Sequence, residues 1–260
     1  MKNIYRWDNL TRPELEELAR EDAIVLIHVG AIEQHGPHLP VGTDTILGRD
    51  TAEAVAERLS THYGKRAIVT PTMAVANSTH HMSFAGSMTL SPITFLTVLT
   101  EICECVAAHG FRKLYILNTH GGNRHPIQVA LIMINERLGF HVYTSQHVSG
   151  SEREVYEILE TQNGMAHGGE METALMLYLH PELVDPMYTQ IRGGNLSKTV
   201  PDPLTASRAS TFERMEELTE NGCIGNAYAG TAEKGKAMFE AMVTAVSRLV
   251  YEAFYGPENA

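Results

Sequence analysis

Between positions 27 and 44 the sequence reads I-H-V-G-A-I-E-Q-H-G-P-H-L-P-V-G-T-D. Glu33, His35, His38 and Asp44 bring carboxylates and imidazoles close together, and Gly36, Pro37 and Pro40 restrict the backbone between them. In an extended segment Glu33 and His35, two residues apart, point the same way. Carboxylate and imidazole together are the usual ligands of Zn²⁺ and Mn²⁺ at catalytic sites. Further donors recur later in the chain: His120 in N-T-H-G-G-N, and His167 with Glu170 in H-G-G-E. This set suits two ions better than one. Asp44 could bridge them at ~3.5–4 Å with a hydroxide between as nucleophile, and His167 could act as general acid and base on a leaving nitrogen.

Each residue alone has a plainer reading. Glu33 could be a salt-bridge partner, and His35 or His120 a hydrogen-bonded surface histidine. Asp44 could be the first-turn carboxylate of a helix capped by Thr43. Glu172 reads as structural, because it lies two positions deeper into its helix than Glu170, and His80, His81 and His125 read as loop residues supporting the site. Jointly the plain readings fail, since several loops that follow strands all carry such groups.

The elements that position these residues follow from periodicity. Residues 23–29 form a continuous apolar run of strand type, with further strands over 66–73, 113–117 and 140–146. Helical spacing marks 9–20, 44–59, 92–109, 126–138, 152–160, 170–179 and 231–255. Thr11 with Pro13, and Ser91 with Pro92, open helices; Gly110 and Gly139 close them. Residues 181–203 read as irregular. Strands alternating with helices predict an α/β fold, a mostly parallel sheet with helices on both faces. No linker divides the chain, so 1–260 reads as a single domain. The loops carrying Glu33–Asp44 and His120 both leave carboxyl ends of strands, where such sheets bind ligands.

Composition narrows the class. Hydrophobic content of 43% with 20% charged residues describes a soluble globular chain that can bury a core. A net charge of −11 argues against nucleic acid or an anionic membrane as partner. Thirteen histidines, several beside Glu, Asp or Gly, favour metal chemistry. Cys103, Cys105 and Cys223 are odd in number and form no C-x-x-C pair, as expected of free thiols in a reducing cytosol. The polar first twenty residues lack a signal-peptide core, and no window reaches the ~18 apolar residues of a membrane span. The expected location is cytoplasmic.

Four motifs taken together resemble the creatininase family of metal-dependent amidohydrolases: G-A-I-E-Q-H-G-P-H-L-P-V-G-T-D, N-S-x-x-H-M-x-F-x-G-S-x-T-L, N-T-H-G-G-N and H-G-G-E-M-E-T-A, with I-G-N-A-Y-A-G-T-A-E-K-G near the end. The resemblance implies a three-layer αβα sandwich, a homohexamer and a dinuclear site holding Zn²⁺ or Mn²⁺, with Fe²⁺ in one branch. It implies that Glu33 and His120 bind one metal and His35 the other, that Asp44 bridges them, and that His167 is the catalytic histidine. Creatininases proper carry a Glu two residues after the ligand histidine, where this chain has Gly122, and Glu170 is the expected replacement. They also hold the creatinine ring with tryptophans near the catalytic histidine. The only Trp here is Trp7, and Asn163 stands four residues before His167, which points to a more polar small substrate than creatinine.

The reaction expected is attack on the carbonyl carbon of a small polar amide or cyclic amide. Alternatives with the same site are ring-opening of a carbocyclic ketone of keto-inositol type and deformylation of a formamide. A metal-stabilised oligomeric binding protein is the non-enzymatic alternative.

Overall fold

Every residue of the first strand, β1 (Ile24–Val29), is buried, because this strand runs through the interior of a four-stranded sheet. The computed structural model describes residues 3–193 and 211–257. With β2 (Ala67–Val69), β3 (Lys113–Asn118) and β4 (Tyr143–Gln146) the sheet has the order β2-β1-β3-β4, and every pairing is parallel. The helices are α1 (Arg12–Arg20), α2 (Thr43–Thr61), α3 (Pro92–Ala108), α4 (Arg124–Leu138), α5 (Glu152–Ile158), α6 (Glu170–Leu179), α7 (Met215–Leu218) and α8 (Ala232–Tyr255).

Alternation along β1 builds three layers. Val25, Ile27 and Val29 pack against Phe95, Leu99 and Cys103 of α3 and Ile127, Ala130 and Ile134 of α4, with Leu18 of α1 at the margin. Ile24 and Leu26 face Ala52, Val55, Ala56 and Leu59 of α2 and Val243, Val246 and Val250 of α8. Each fully buried aliphatic side chain contributes about 1.5–3 kcal/mol. The expected αβα arrangement with a parallel sheet is the one observed. A further cluster, with Leu47, Val155, Leu175, Met176, Met238 and Met242, packs α6 against α8 and α2. That packing carries the H-G-G-E segment to the sheet.

The local signals act as the sequence predicts. Glu14 accepts a hydrogen bond from the Thr11 amide at 2.7 Å, and Ser91 Oγ accepts from Thr94 N–H. Gly139 ends α4 at φ +71°, a left-handed conformation that costs glycine least. Boundaries differ where amides find other partners. The strand expected over 66–73 is three residues long, since Pro71 has no N–H for a ladder. The strand expected from 140 begins at Tyr143, because the Val142 amide donates to Asn135 Oδ1 at 2.8 Å. The helix expected to reach 160 ends at Ile158, because the amides of Glu160 and Thr161 donate to Glu170. Short 3₁₀ turns occupy Pro181–Leu183 and Pro186–Gln190; the expected irregular stretch beyond residue 193 lies outside the described residues. Cys103 and Cys223 are buried, Cys105 is exposed, and all are free thiols. Among the described residues no helix is long and apolar enough to cross a membrane.

One buried polar group sits inside this frame. His28 of β1 is fully buried, with Nδ1 3.1 Å from Thr72 Oγ1 and Nε2 3.1 Å from Thr119 Oγ1. Burial, reinforced by His147, lowers its pKa to about 3, so the folded state holds it neutral. An unfolded histidine takes its proton near pH 6.5. The stability due to neutral His28 is therefore complete above about pH 6.5 and is lost as pH falls toward about 3. In urea unfolding, His28→Leu is expected to be less stable than the parent at pH 7.5, where the Thr72 and Thr119 hydroxyls each lose a hydrogen bond. It is also expected to lose less stability between pH 7.5 and 5; parallel declines in the two proteins would contradict this.

Candidate metal centre

Val29 and Asn118 are register partners at the carboxyl ends of neighbouring strands, so the chain leaves β1 and β3 side by side. Backbone and short polar side chains then bind the two exits together. The Thr119 amide donates to Val29 O at 3.1 Å, Thr119 Oγ1 donates to Asp44 O at 2.9 Å, and Asn123 Nδ2 donates to Gly30 O at 2.9 Å. The loop after β1 turns back on itself through Glu33 N–H to Val41 O at 2.9 Å. This returns Asp44 to the same place, in the first turn of α2, where the helix dipole favours a carboxylate. The shared sheet edge expected from the strand pattern is thus a matter of register.

Glu33, His35, Asp44 and His120 converge there, all buried. His120 Nδ1 lies 3.1 Å from Glu33 Oε1 and 3.4 Å from Asp44 Oδ2. His35 Nε2 lies 3.7 Å from Asp44 Oδ1. The two oxygens of Asp44 therefore face different histidines. Each of these imidazoles is oriented by its other nitrogen: His120 Nε2 donates to Asn77 O at 3.0 Å, and His35 Nδ1 donates to Glu33 O at 3.0 Å. Such a bond fixes the tautomer that presents a lone pair to a cation.

The donors also show what they lack. Both carboxylate oxygens of Glu33, Asp44 Oδ2 and His35 Nε2 are buried without a hydrogen-bond partner, and buried groups of this kind are costly unless compensated. Burial disfavours charge on His35, but Glu172 and Asp44 outweigh it and raise its pKa to about 10. Burial is likewise outweighed at His120, which Glu33 and Asp44 raise well above the usual imidazole range. The carboxyls respond in kind. Burial would raise Glu33 and Asp44, yet the facing imidazoles hold both below the ordinary range. A divalent cation would compensate the same oxygens and nitrogens, and oxygen and imidazole nitrogen are the donors Zn²⁺ and Mn²⁺ accept. The residues present fit such ions.

Glu170 does not join them. Its carboxylate accepts from the amides of Glu160 and Thr161 and from Thr161 Oγ1, and it pairs with Lys234 Nζ at 2.7 Å. The carboxylate that does reach the site is Glu172, whose Oε1 lies 3.7 Å from His35 Nε2 and whose Oε2 accepts from Gly168 N–H. Two helical steps turn a side chain by about 200°, so only one of the two acids can face the sheet edge. Burial lifts the pKa of Glu172 to about 7, against the opposing charge of His35. The sequence offered no phase to choose between them, since every residue from Glu170 to Met176 is buried. Gly122 has a steric explanation. A Cβ there would stand 2.4 Å from His120 Nε2, 2.6 Å from Asn77 O and 2.7 Å from His80 Cε1. The bond that orients His120 occupies the space a side chain at 122 would need.

His167 is brought to the centre as expected. Its Nδ1 lies 3.6 Å from Glu33 Oε1 and its Nε2 2.6 Å from Gln34 O; burial, reinforced by His35, lowers its pKa to about 3. His81, read from sequence as a loop residue, is also buried against the site, with Nε2 3.4 Å from Glu33 Oε1. His80 groups with Glu33 and His120. The second family motif fixes His81 and leaves position 80 open, but the motif alone assigned neither a role, because both lie on the loop after β2 and reach the edge only through folding. His38 instead bonds Thr173 Oγ1 at 2.9 Å and stands outside the donor groups. The cluster opens into a cavity of about 290 Å³, whose walls include Met165, Ala166 and Met215 as well as Arg124, His125 and Gln146. The wall near His167 is thus partly apolar even without tryptophan.

Comparison with known proteins identifies the family. Residues 8–250 match the family profile Creatininase, described as creatinine amidohydrolase. The chain is 27% identical over 225 residues to the mycofactocin precursor peptide peptidase of Mycolicibacterium smegmatis, covering 85% of this chain and 81% of that protein. It is 25% identical over 265 residues to the 3-dehydro-scyllo-inosose hydrolase of Thermotoga maritima, covering 94% and 82%. A solved structure described as "Creatininase Mn" superposes with a TM-score of 0.79 at 25% identity, over 96% of this chain and 99% of the other. With the profile match spanning nearly its whole length, the chain belongs to the creatininase family and is a metal-dependent hydrolase.

Proposed function

We propose that this hydrolase uses a dinuclear centre to cleave a small polar amide or cyclic amide. The observation that carries the reading is the convergence of buried, partnerless Glu33 Oε1 and Oε2, Asp44 Oδ2 and His35 Nε2, with His35 and His120 facing different oxygens of Asp44. Glu33 and His120 would hold one divalent ion, His35 and Glu172 the other, with Asp44 between them. Zn²⁺ or Mn²⁺ suits the donors, and Fe²⁺ is compatible. When bound, such ions polarise a carbonyl oxygen and make water acidic enough to attack at neutral pH.

The chain's own groups supply the proton handling. His167 turns Nδ1 toward the centre, with Nε2 anchored on Gln34 O. There it accepts the proton that the attacking water loses and returns it to the leaving nitrogen, so no net proton remains on the enzyme. A cavity of about 290 Å³ limits the part of the substrate that enters to a small group. The relatives named above act on a peptide, an inosose and, by family description, creatinine. All present a carbonyl carbon, which supports carbonyl attack as the shared step. Exposed Ile93, Val129 and Ile132 on α3 and α4 support self-association, in line with a homo-oligomer, by resemblance a hexamer; a monomer by light scattering would contradict this.

Metal content discriminates between the two acids of α6. Glu172→Gln is expected to lose one of two ion equivalents, while Glu170→Gln keeps both and instead lowers thermal stability. The loss at Glu170 should be about 1–3 kcal/mol, because it weakens the bonds to Lys234 and to the amides of Glu160 and Thr161. Ion loss from Glu170→Gln with none from Glu172→Gln would reverse the assignment. Activity discriminates among the reactions. With Zn²⁺ or Mn²⁺, the protein should release amine from a panel of cyclic amides, formamides and short peptides. His167→Ala should lower that rate about 10²–10⁴-fold with both ions retained. Turnover of a keto-inositol alone would favour ring-opening, and a His167→Ala protein indistinguishable from the parent would favour a binding protein.

A further inference from the structure

Gln34 stands between two donor residues of the centre, and both its side chain and its backbone touch a histidine. Backbone groups on either side fix the amide orientation. Oε1 accepts from Gly36 N–H at 2.9 Å, and Nε2 donates to Gly222 O at 2.9 Å. The remaining hydrogen on Nε2 meets His81 Nδ1 at 3.0 Å. A donor can only meet a lone pair, so Nδ1 of His81 is unprotonated and its neutral ring carries hydrogen on Nε2. That nitrogen faces Glu33 Oε1 at 3.4 Å.

His167 is set the other way round. The backbone oxygen of Gln34, a pure acceptor, lies 2.6 Å from His167 Nε2 and holds the ring hydrogen there. The lone pair on Nδ1 then faces the same Glu33 Oε1 at 3.6 Å. Gln34 Nε2 also lies 3.3 Å from His167 Nε2, but both atoms carry hydrogen and no bond joins them. The two rings are 4.5 Å apart and line one cavity. His35 and His120 resemble His167, because each uses its spare nitrogen to donate to a backbone carbonyl. In their neutral forms, three of these four imidazoles turn a lone pair to the centre and His81 turns an N–H.

We propose that Gln34 locks His81 as the hydrogen-bond donor of the active site. Its Nε2–H cannot ligate a cation. It is placed instead to hydrogen-bond the carbonyl oxygen of a bound amide and to stabilise the negative charge that develops there. One residue thereby sets complementary roles, with His81 as donor and His167 as proton acceptor. The role assigned to His81 rests on the hydrolase reading above, whereas the tautomer rests on geometry alone. The competing role is metal ligation: Glu33, His81 and His167 are close enough to hold an ion together. That role would require the Gln34 amide to flip and forfeit its bonds to both Gly36 and Gly222.

Long-range ¹H–¹⁵N correlation spectra of the zinc-loaded, histidine-labelled protein read the tautomer directly. His81 should show hydrogen on Nε2 and a bare, hydrogen-bonded Nδ1; a bare or zinc-bound Nε2 would overturn the proposal. Gln34→Glu replaces the donor by an acceptor and should move the His81 hydrogen to Nδ1; an unchanged pattern would count against Gln34 as the cause. His81→Phe should retain two zinc equivalents, and loss of one would identify a ligand instead. On whichever panel amide is cleaved, His81→Phe should lower kcat about 10²–10³-fold with little change in KM; an unchanged kcat would remove the catalytic role. The spectra and zinc content remain decisive even if no panel amide is cleaved, so failure of the hydrolase reading is distinguishable from failure of this proposal.

Discussion

Three carboxylates, Glu33, Asp44 and Glu172, are buried together at one edge of a parallel sheet, and the surrounding structure serves to compensate them. Like charges buried in contact are costly. Imidazoles from four loops supply partial compensation, yet Glu33 still has no hydrogen-bond partner on either oxygen. Divalent cations bound between these donors, as proposed, would complete the compensation. The tight core of α2, α3, α4 and α8 around the sheet holds the donors in place against their mutual repulsion.

Much of this organisation is readable in the sequence, for physical reasons. β1 is a continuous apolar run because both its faces are covered, and a parallel sheet places the loops after β1 and β3 at one edge. Glu33, His35, Asp44 and His120 follow from that placement together with the family motifs. Glu170 and Glu172 mark where sequence reading stops. Their helix is buried all round at its start, so no amphipathic stripe reveals which acid faces the sheet. The deciding contact, Lys234 with Glu170, joins residues 64 apart. The motif marks His81 but not its tautomer, because its Nδ1 meets an amide of Gln34 whose orientation is set by Gly36 and by distant Gly222.

Gly122 shows how one departure propagates. Because the Asn77 carbonyl and His80 press against position 122, a side-chain ligand cannot arise there without displacing the bond that orients His120. The third carboxylate at the centre, Glu172, comes from α6 instead, and the wall beside His167 includes Met165, Ala166 and Met215.

An anomalous-scattering map of crystals grown with Zn²⁺ would test the dinuclear centre most directly. Two peaks are expected, one on each side of the Asp44 carboxylate, the first in contact with Glu33 and His120 and the second with His35 and Glu172. A single peak, or a second peak bound by Glu170 in place of Glu172, would contradict it.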